Sequence, residues 1–460
     1  MYSYQFNPLG KPFDEVIADD LAKLREVAEG WYVDYKSEGV NIADLAKHMS
    51  AFSNQYGGWL FFGVKETDDG SRLAGGFPGM TSDEASALSL RIREAVSAHV
   101  SPPLLYEEHL LNGPCEAIGL AAGRAILIVG IPQGVDPPYI HSSGRIFRRL
   151  ADQSKPEAEK DRHALDILFE RGRLYRDRVT ERLLRTPELR AEQSDTTFVF
   201  IHLVPDLRLP APNSQLSIYQ FREICRNKGG AQGSTLSVPL DHIHAADFGF
   251  FGRQVESNPA EFARLGIRWW HDGVARLDIP VNVWPGGQFK IDQYSHSADF
   301  ARELAAQRLA SRPVCDFSFL VQAVAALTNL YVRLRETMED SRPLYAACEL
   351  RNLFYRVPFF NSSKYLEKCR EDGIPLLTER TVTFPRRPYF DNMLRVPNPT
   401  ADVDPASAPA EAIVPYLRVV GVIHWMLSSV GIIADTDELF DAEIYTHPDA
   451  SRYRSNIKEL

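Results

Sequence analysis

Three acidic residues surround the first predicted helix–turn–strand unit and could act together on a phosphate group. Glu29 closes a predicted helix, Asp34 lies in the strand-like run 31–36, and Glu66 ends a second strand-like run. Converging carboxylates repel one another unless a positive charge lies between them. Such oxygen ligands suit Mg²⁺ or Mn²⁺, which can activate a water and neutralise charge on a phosphate. Spacing alone also allows solvated acidic residues at the ends of elements, and taken alone it favours that interpretation.

The predicted strands give these groups their directions. Side chains alternate along a strand, so Asp34 and Lys36 share one face, with Val33 and Tyr35 on the other. Lys36 could therefore steady the phosphate or the leaving oxygen. In the second strand, Glu66 is in phase with a core-facing row, and we expect it to continue that row where the sheet opens to solvent. The row comprises Leu60, Phe62 and Val64.

Helices and strands alternate through the first part of the chain and must position these residues. Apolar spacing predicts helices over 14–28, 41–54 and 82–96. Strands are predicted over 31–36, 59–66, 104–111 and 125–131, with another near 139–150. Gly57 and Gly58 can take the left-handed conformation that ends a helix, and we interpret them and Asn54 as scaffold. This order predicts an α+β domain with a mixed sheet.

The second half of the chain has a different pattern. It predicts a strand over 198–205, a hairpin of strands over 276–284 and 288–294, and helices over 299–310 and 316–338. The Pro- and Ala-rich segment 397–411 is predicted to be a loop or linker. We therefore predict two domains, 1–192 and 193–460. The second is α+β and could sense a trigger, shape a substrate channel or mediate assembly.

Composition limits the classes of protein that fit. A net charge of −10 excludes a chain that is basic all over, so any nucleic-acid site must be a local patch. Five scattered cysteines without a CxxC pair predict buried reduced thiols rather than a zinc site. The N-terminal segment has no apolar signal core, and charged and Pro residues interrupt the apolar run 412–433, which we predict to be a buried helix. We expect a soluble, cytoplasmic protein.

The run VDYK … SAFSNQYGGWLFFGVKE resembles the AlbA_2 pattern of the Schlafen family, also called divergent AAA_4. In that pattern a carboxylate-x-Lys strand precedes a helix ending A-F-x-N-x-x-G-G and a strand ending G-V-x-[D/E]. The matching elements here are Asp34–Lys36, Ala51–Asn54, Gly57–Gly58 and Gly63–Glu66. The resemblance covers about the first third of the chain, roughly 14–150, and implies an AlbA_2 domain with a mixed sheet and flanking helices.

The same resemblance implies a chemistry. Family members that cut tRNA and rRNA use three carboxylates, whose positions fall on Glu29, Asp34 and Glu66. These residues would bind Mg²⁺ or Mn²⁺ in a metal-dependent endoribonuclease that acts on RNA such as tRNA, in phage defence or a stress response. Asp34 stands where the family usually has Glu, and Glu66 where it usually has Asp. Each exchange moves a carboxylate by about 1.5 Å.

Basic residues complete the predicted nucleic-acid site. The family has an arginine-bearing strand near the end of the domain, here with Arg145, Arg148 and Arg149. With Lys36 and Lys65, we expect these arginines to contact phosphates. A second group of arginines on the following helix could bind RNA or form solvated i,i+4 pairs, and the second alternative is at least as well supported. That group comprises Arg171, Arg173, Arg176, Arg178, Arg182 and Arg185.

Other interpretations stay open. Many bacterial proteins with this domain are described as DNA-binding regulators, so a non-catalytic DNA-binding role is the alternative. The loop 227–235 lacks Walker spacing, which gives no support to ATP binding. His242 and His244 could bind a metal but are better interpreted as ordinary histidines with satisfied hydrogen bonds.

Animal relatives enclose RNA between two AlbA_2-like lobes, and this chain has one clear copy, so we predict a homodimer.

Overall fold

The computed structural model describes residues 4–37, 41–149, 155–184, 196–209, 211–212, 214–226, 240–254, 265–386, 392–396 and 414–434. The chain separates into two compact units. Unit 1 comprises residues 1–179 and 208–210, and unit 2 comprises 180–207 and 211–460. Helices and strands are mixed in both units, so the predicted α+β class is confirmed.

Unit 1 begins with two 3-10 helices, Phe13–Glu15 and Ala18–Glu26. Its α-helices are α1 (Ile42–Asn54), α2 (Ser82–His99) and α3 (Arg162–Leu184), the last of which begins in this unit. Its strands are β1 (Val33–Lys36), β2 (Gly57–Phe62), β3 (Lys65–Glu66), β4 (Ala74–Gly76), β5 (Val100–Ser101), β6 (Glu107–Asn112), β7 (Ala125–Pro132), β8 (Ile140–His141), β9 (Phe147–Arg148) and β10 (Glu157–Ala158).

The central sheet of unit 1 is mixed, with strand order β1-β2-β7-β6. Strand β1 runs parallel to β2, whereas β7 is antiparallel to both β2 and β6. Side chains alternate between the two faces of the sheet, and both faces are buried. One face packs with the N-terminal 3-10 helices and includes Tyr35, Phe61 and Ile128. The other packs with α1 and α2 and includes Leu60 and Phe62. The predicted mixed sheet with flanking helices is confirmed.

Helix α1 is fixed at both ends by local interactions. The side chain of Asn41 accepts a hydrogen bond from the amide of Asp44, which caps the first turn. After the helix, Gly57 has a φ of +76°, the left-handed conformation predicted for this pair. Gly58 is required for space, because a Cβ there would lie 2.3 Å from the ring of Phe52. This close approach brings the helix onto the sheet.

Two elements of unit 1 differ from the prediction. The segment 14–28 forms 3-10 helices rather than an α-helix. The strand predicted over 59–66 ends at Phe62, because Gly63 adopts a φ of +87° and breaks the alternation. Val64 then packs with Trp59 and Phe61 rather than with Leu60 and Phe62.

Unit 2 contains the remaining elements. Its helices are α4 (Ile218–Arg226), α5 (Ser297–Ala306), α6 (Phe317–Thr337), α7 (Ser363–Glu371) and α8 (Val414–Ser429). Its strands are β11 (Phe198–Pro205), β12 (His242–Ala246), β13 (Gly249–Arg253), β14 (Gly266–Trp270), β15 (Ala275–Pro280), β16 (Val283–Trp284), β17 (Val314–Asp316), β18 (Leu344–Arg351), β19 (Val357–Phe359), β20 (Thr381–Phe384) and β21 (Leu394–Val396).

The large sheet of unit 2 has strand order β12-β13-β14-β15-β11-β18-β20, with β21 also paired to β18. One face packs with α6 and includes Ile201, Leu277 and Cys348. The hairpin predicted over 276–284 and 288–294 is wrong. Strand β15 pairs with β14 and β11, and residues 288–294 form a loop without a strand. The segments 397–411 and 227–235 lie outside the described residues.

The remaining expectations concern thiols and apolar helices. All five cysteines are buried and free of disulfides, as predicted. Helix α8 places Val422, Met426 and Leu427 in the core of unit 2, so the predicted buried helix is confirmed. Within the described ranges, no helix combines the length and apolar character needed to cross a membrane.

Candidate functional site

Asp34 lies at the centre of a buried charged network on β1. It pairs in register with Leu60, which directs its side chain toward helix α1, and it is 0% exposed. Lys36 Nζ lies 2.5 Å from Oδ1 of Asp34. On the other oxygen, Oδ2, His48 Nδ1 approaches to 2.8 Å and Arg149 Nη1 to 3.1 Å. Both carboxylate oxygens are therefore bound by basic groups, and the predicted shared face of Asp34 and Lys36 is confirmed.

Arg149 is part of this network and is 1% exposed. Its Nε donates to the carbonyl of Gly30 at 3.0 Å, and Nη2 donates to the carbonyl of Val33 at 3.3 Å. The guanidinium also lies 4.7 Å from the ring centroid of Phe52. We predicted that Arg149 contacts phosphate, but its buried position corrects that expectation. The residue neutralises Asp34 inside the fold.

Glu29 lies beside Asp34 and is 5% exposed. Its Oε1 accepts a hydrogen bond from the amide of Tyr35 at 2.5 Å. Its Oε2 is buried and has no hydrogen-bond partner among the residues that the structure describes. Burial and the neighbouring charge of Asp34 raise the pKa of Glu29 to about 8. Near neutral pH this carboxyl group therefore holds a proton.

The pKa of Asp34 moves in the opposite direction. Burial alone would raise it, but the hydrogen bond from His48 and the charge of Arg149 lower it well below its usual 3.8. Burial lowers the pKa of His48 below 6.5, although its contact with Asp34 opposes that shift. Two adjacent carboxyl groups thus differ in protonation, with Asp34 ionised and Glu29 neutral.

Contrary to the prediction, Glu66 does not form one metal-holding group with Glu29 and Asp34. The chain turns at Gly63, and Glu66 lies on β3, paired with Ala74 of β4. Burial, and then the charges of Glu29 and Glu66, raise the pKa of Tyr35. In the described part of the chain, no three His, Cys, Asp or Glu side chains are arranged to hold a metal ion.

The predicted metal set of Glu29, Asp34 and Glu66 therefore does not fit a divalent ion in this arrangement. Both oxygens of Asp34 already bind basic groups, which supply the positive charge that a metal would provide. The unpartnered Oε2 of Glu29 is a single oxygen ligand, whereas Mg²⁺ takes octahedral coordination. The requirement for Mg²⁺ or Mn²⁺ stays a prediction.

The other predicted phosphate contacts occupy different environments. Arg145 is exposed and lines a pocket together with Lys160. Arg148 forms an ion pair with Glu159, with 2.5 Å between Nη1 and Oε2. Lys65 is exposed and lies 3.2 Å from Asp68. Arg145 is thus the most open of the three predicted arginines of this segment.

The second group of arginines is partly structural. Arg171 donates to the backbone carbonyls of Asn54 and Gly134, both at 3.0 Å. Arg176 pairs with Asp136 at 3.1 Å. These contacts hold α3 against the end of α1 and the segment after β7. Arg185 lies outside the described residues.

His48 was missed by the sequence reasoning. It lies on the apolar stripe of α1, between Leu45 and Phe52, and is 8% exposed. A polar side chain at a buried position needs a partner, because burying an unpaired polar group is costly. That signal could have pointed to an acidic partner on the adjacent strand.

Residues 29–159 match the family model described as Schlafen, AlbA_2. This part of the chain is a Schlafen-type AlbA_2 domain. The match supports a general role in binding or cutting nucleic acid.

Among solved structures, the chain is similar to the crystal structure of the DIP2311 protein from Corynebacterium diphtheriae, at 16% identity and a TM-score of 0.20. That similarity covers 31% of this chain and 24% of that chain, so it spans about a quarter of the other protein's length. No curated protein matches the chain.

Proposed function

We propose that unit 1 is an endoribonuclease that cuts structured RNA such as tRNA, with Glu29 and Asp34 at its centre. The observation that carries the proposal is the opposite shift of two adjacent carboxyl pKa values, up to about 8 for Glu29 and downward for Asp34. Environments that separate the pKa values of neighbouring acids are typical of acid–base sites. The AlbA_2 match supports nucleic acid in general as the substrate.

Glu29 would donate a proton to the leaving oxygen. Hydrolysis of a phosphodiester bond forms a bond between a water oxygen and phosphorus and breaks the bond from phosphorus to the leaving oxygen. The water releases a proton to solvent, the leaving oxygen gains one from Glu29, and Glu29 then takes up a proton from solvent. A group whose pKa lies near the working pH suits this role. Burial raises the pKa of Glu29, and the adjacent ionised Asp34 raises it further, because two neighbouring negative charges are unfavourable.

Lys36 would hold the phosphate at this pair. Its side chain is 21% exposed, whereas that of Asp34 is fully buried, so the ammonium group connects the network to solvent. A cation at this position attracts the phosphate backbone and stabilises charge that develops during cleavage. Arg145, which is exposed, would contact the RNA backbone farther along the domain.

The biological setting follows from the family resemblance. A ribonuclease that cuts tRNA stops translation, which suits phage defence or a stress response.

A homodimer would supply the second AlbA_2 lobe. Light scattering on a size-exclusion column should give about twice the mass of one 51.8 kDa chain. A single monomer peak would contradict the dimer.

A cleavage assay tests the function. Purified protein is incubated with end-labelled tRNA in buffers that contain Mg²⁺, Mn²⁺ or EDTA, and the products are separated on a denaturing gel. We expect cleavage by the wild type and a rate at least about 10-fold lower for Lys36→Gln. Exposed Lys155 provides the matched control, so Lys155→Gln should cut at the wild-type rate. The EDTA arm decides whether a divalent ion is needed.

A second candidate is a DNA-binding regulator without catalysis. The observation that favours it is the burial of the acidic pair, since Glu29 is 5% exposed and Asp34 is 0% exposed. A buried network of this kind can also serve to stabilise the fold. This role predicts tight binding of duplex DNA and no product from tRNA under any of the three buffers. Those two results together would replace the ribonuclease proposal.

A further inference from the structure

Unit 2 carries a row of arginine and aromatic side chains on one face of its large sheet. The register places Arg268 of β14 opposite Arg276 of β15, and Arg276 opposite His202 of β11. Residues opposite one another point to the same face. That face is the reverse of the one that packs with α6. We call it the arginine face, and it comprises Arg253, Arg268, Arg276, Arg351, Phe200 and Phe251.

Arginines and aromatic rings alternate across this face. The guanidinium carbons of Arg268 and Arg253 lie 4.8 and 5.6 Å from the ring centroid of Phe251. Those of Arg276 and Arg351 lie 5.7 and 5.4 Å from the ring centroid of Phe200. Cation–π contact holds each guanidinium plane close to a ring. The rings therefore keep several positive charges close together on one surface.

Positive charge exceeds negative charge on this face. On strands β11 to β15 and β18, the acidic residues that share it are Asp278 and Glu349. Arg276 pairs with Asp278 at 2.6 Å, and Arg351 pairs with Glu349 at 2.6 Å. Arg268 Nε also lies 3.8 Å from Oδ2 of Asp278, so on the described residues of these strands four arginines share two carboxylates. The excess makes the face a local attractor for anions.

His202 adds a buried polar group to the same face. It is 2% exposed, and neither ring nitrogen has a hydrogen-bond partner within the described ranges. Burial, and then the charges of Arg276 and Arg351, lower the pKa of His202 to about 3. The ring is therefore neutral at physiological pH and offers one donor and one acceptor. Buried polar groups without partners are uncommon, and each one calls for a physical explanation.

Access to the face is best at its β12–β14 end. Phe251, Arg253 and Arg268 are half-buried there, and His244 on the edge strand is exposed. His244 Nε2 lies 3.0 Å from Nδ1 of His242, so these two histidines contact each other. This end of the face is the place where a ligand can reach both a ring and the guanidinium groups beside it.

We propose that the β12–β14 end of the arginine face, with Phe251, Arg253 and Arg268, binds single-stranded nucleic acid. Guanidinium groups would contact the phosphates, and a base would stack on Phe251, the arrangement typical of proteins that bind single strands without sequence preference. A duplex keeps its bases stacked inside and cannot use the ring in this way. The proposal goes beyond the ribonuclease function of unit 1, because it requires neither Glu29 nor cleavage.

Fluorescence anisotropy on the full chain tests this proposal. The probes are fluorescein-labelled dT15 and 2′-O-methyl U15, neither of which offers a free 2′-hydroxyl, in buffer with EDTA. We expect Phe251→Leu, which keeps an apolar side chain but removes the flat ring, to raise Kd about 5-fold or more for both probes. Arg268→Gln should raise Kd and reduce the slope of log K against log salt by about 0.7. The ratio of the two Kd values shows whether RNA or DNA is preferred.

Two control variants separate this site from others. Arg302 is exposed on α5, away from the face, so Arg302→Gln should bind like the wild type. Lys155→Gln, in unit 1, should also bind like the wild type. The proposal is overturned if the wild type binds neither probe, or if Arg268→Gln and Phe251→Leu bind as tightly as the wild type. Thermal unfolding curves that match the wild type confirm that each variant is folded.

Discussion

Arg149 and Asp34 form a buried ion pair across 115 residues of chain, with 3.1 Å between Nη1 and Oδ2. Neither side chain is exposed. The pair ties the segment after β9 to the first strand of the sheet and joins the two ends of the AlbA_2 match. It also fixes the ionised state of Asp34, on which the protonation of Glu29 depends.

Removal of Arg149 should therefore destabilise unit 1 strongly. We expect Arg149→Met to lower the free energy of unfolding by about 3–5 kcal/mol, because it leaves the buried Asp34 charge with less compensation. Urea denaturation measures the change. Exposed Arg145 is the matched control, and Arg145→Met should stay within about 0.5 kcal/mol of the wild type. A loss below about 1 kcal/mol for Arg149→Met would contradict the role given to the pair.

Asn54 should be a second point of sensitivity. Its Nδ2 donates to the carbonyls of Tyr139 at 2.9 Å and Phe147 at 3.0 Å, and its Oδ1 accepts from the amide of Tyr139 at 2.7 Å. We expect Asn54→Ala to cost at least about 2 kcal/mol of unfolding free energy, since three buried backbone groups lose their partner. Exposed Asn112 on β6 serves as the control in the same denaturation experiment. Equal stability of the two variants would refute the bracing role.

The break after β2 should depend on Gly63. A Cβ at this position would lie 2.9 Å from Cα of Gly79, in addition to the strain of a φ of +87°. Gly70 has a φ of +78° and nothing within 4 Å of such a Cβ, so Gly70→Ala measures the strain alone. We expect Gly63→Ala to lose at least about 1 kcal/mol more than Gly70→Ala in thermal or urea unfolding. Similar losses would mean that the close approach to Gly79 is easily relieved.

The sequence predicted those parts of the site that follow from local geometry. Alternation along a strand places Asp34 and Lys36 on one face regardless of the rest of the fold, and the structure agrees. The stripe of α1 was equally predictable from helical spacing, as was the left-handed glycine that follows the helix.

Long-range relationships could not be predicted in the same way. The phase of Glu66 depends on the φ of Gly63, which leaves no trace in the apolar pattern. Arg149 belongs to a residue type that is mostly exposed, and its partner is 115 residues away. His48 joins Asp34 through the packing of α1 on β1, which is a property of the folded domain.

The raised pKa of Glu29 should appear in the pH dependence of stability. Between pH 4.5 and about 8, folded Glu29 keeps a proton that the unfolded chain releases. The folded state binds more protons there, so the free energy of unfolding falls as pH rises through this window. The lowered pKa of Asp34 acts only below about 3.8, outside the window.

Urea denaturation at a series of pH values tests this expectation. Glu29→Gln removes the titrating group, so its stability should fall less between pH 5 and pH 8 than that of the wild type. Exposed Glu26 is the matched control, and Glu26→Gln should keep the wild-type slope. Parallel slopes for Glu29→Gln and the wild type would show that Glu29 does not hold the proton.

The most direct measurement is the rate of tRNA cleavage by wild type, Glu29→Gln and Glu26→Gln as a function of pH. If Glu29 is the proton donor, Glu29→Gln cuts at least about 100-fold more slowly, and Glu26→Gln cuts like the wild type. The wild-type rate then falls as pH rises through about 8, where Glu29 loses its proton. Equal rates for Glu29→Gln and wild type, or no cleavage by wild type at any pH, would contradict the proposed site.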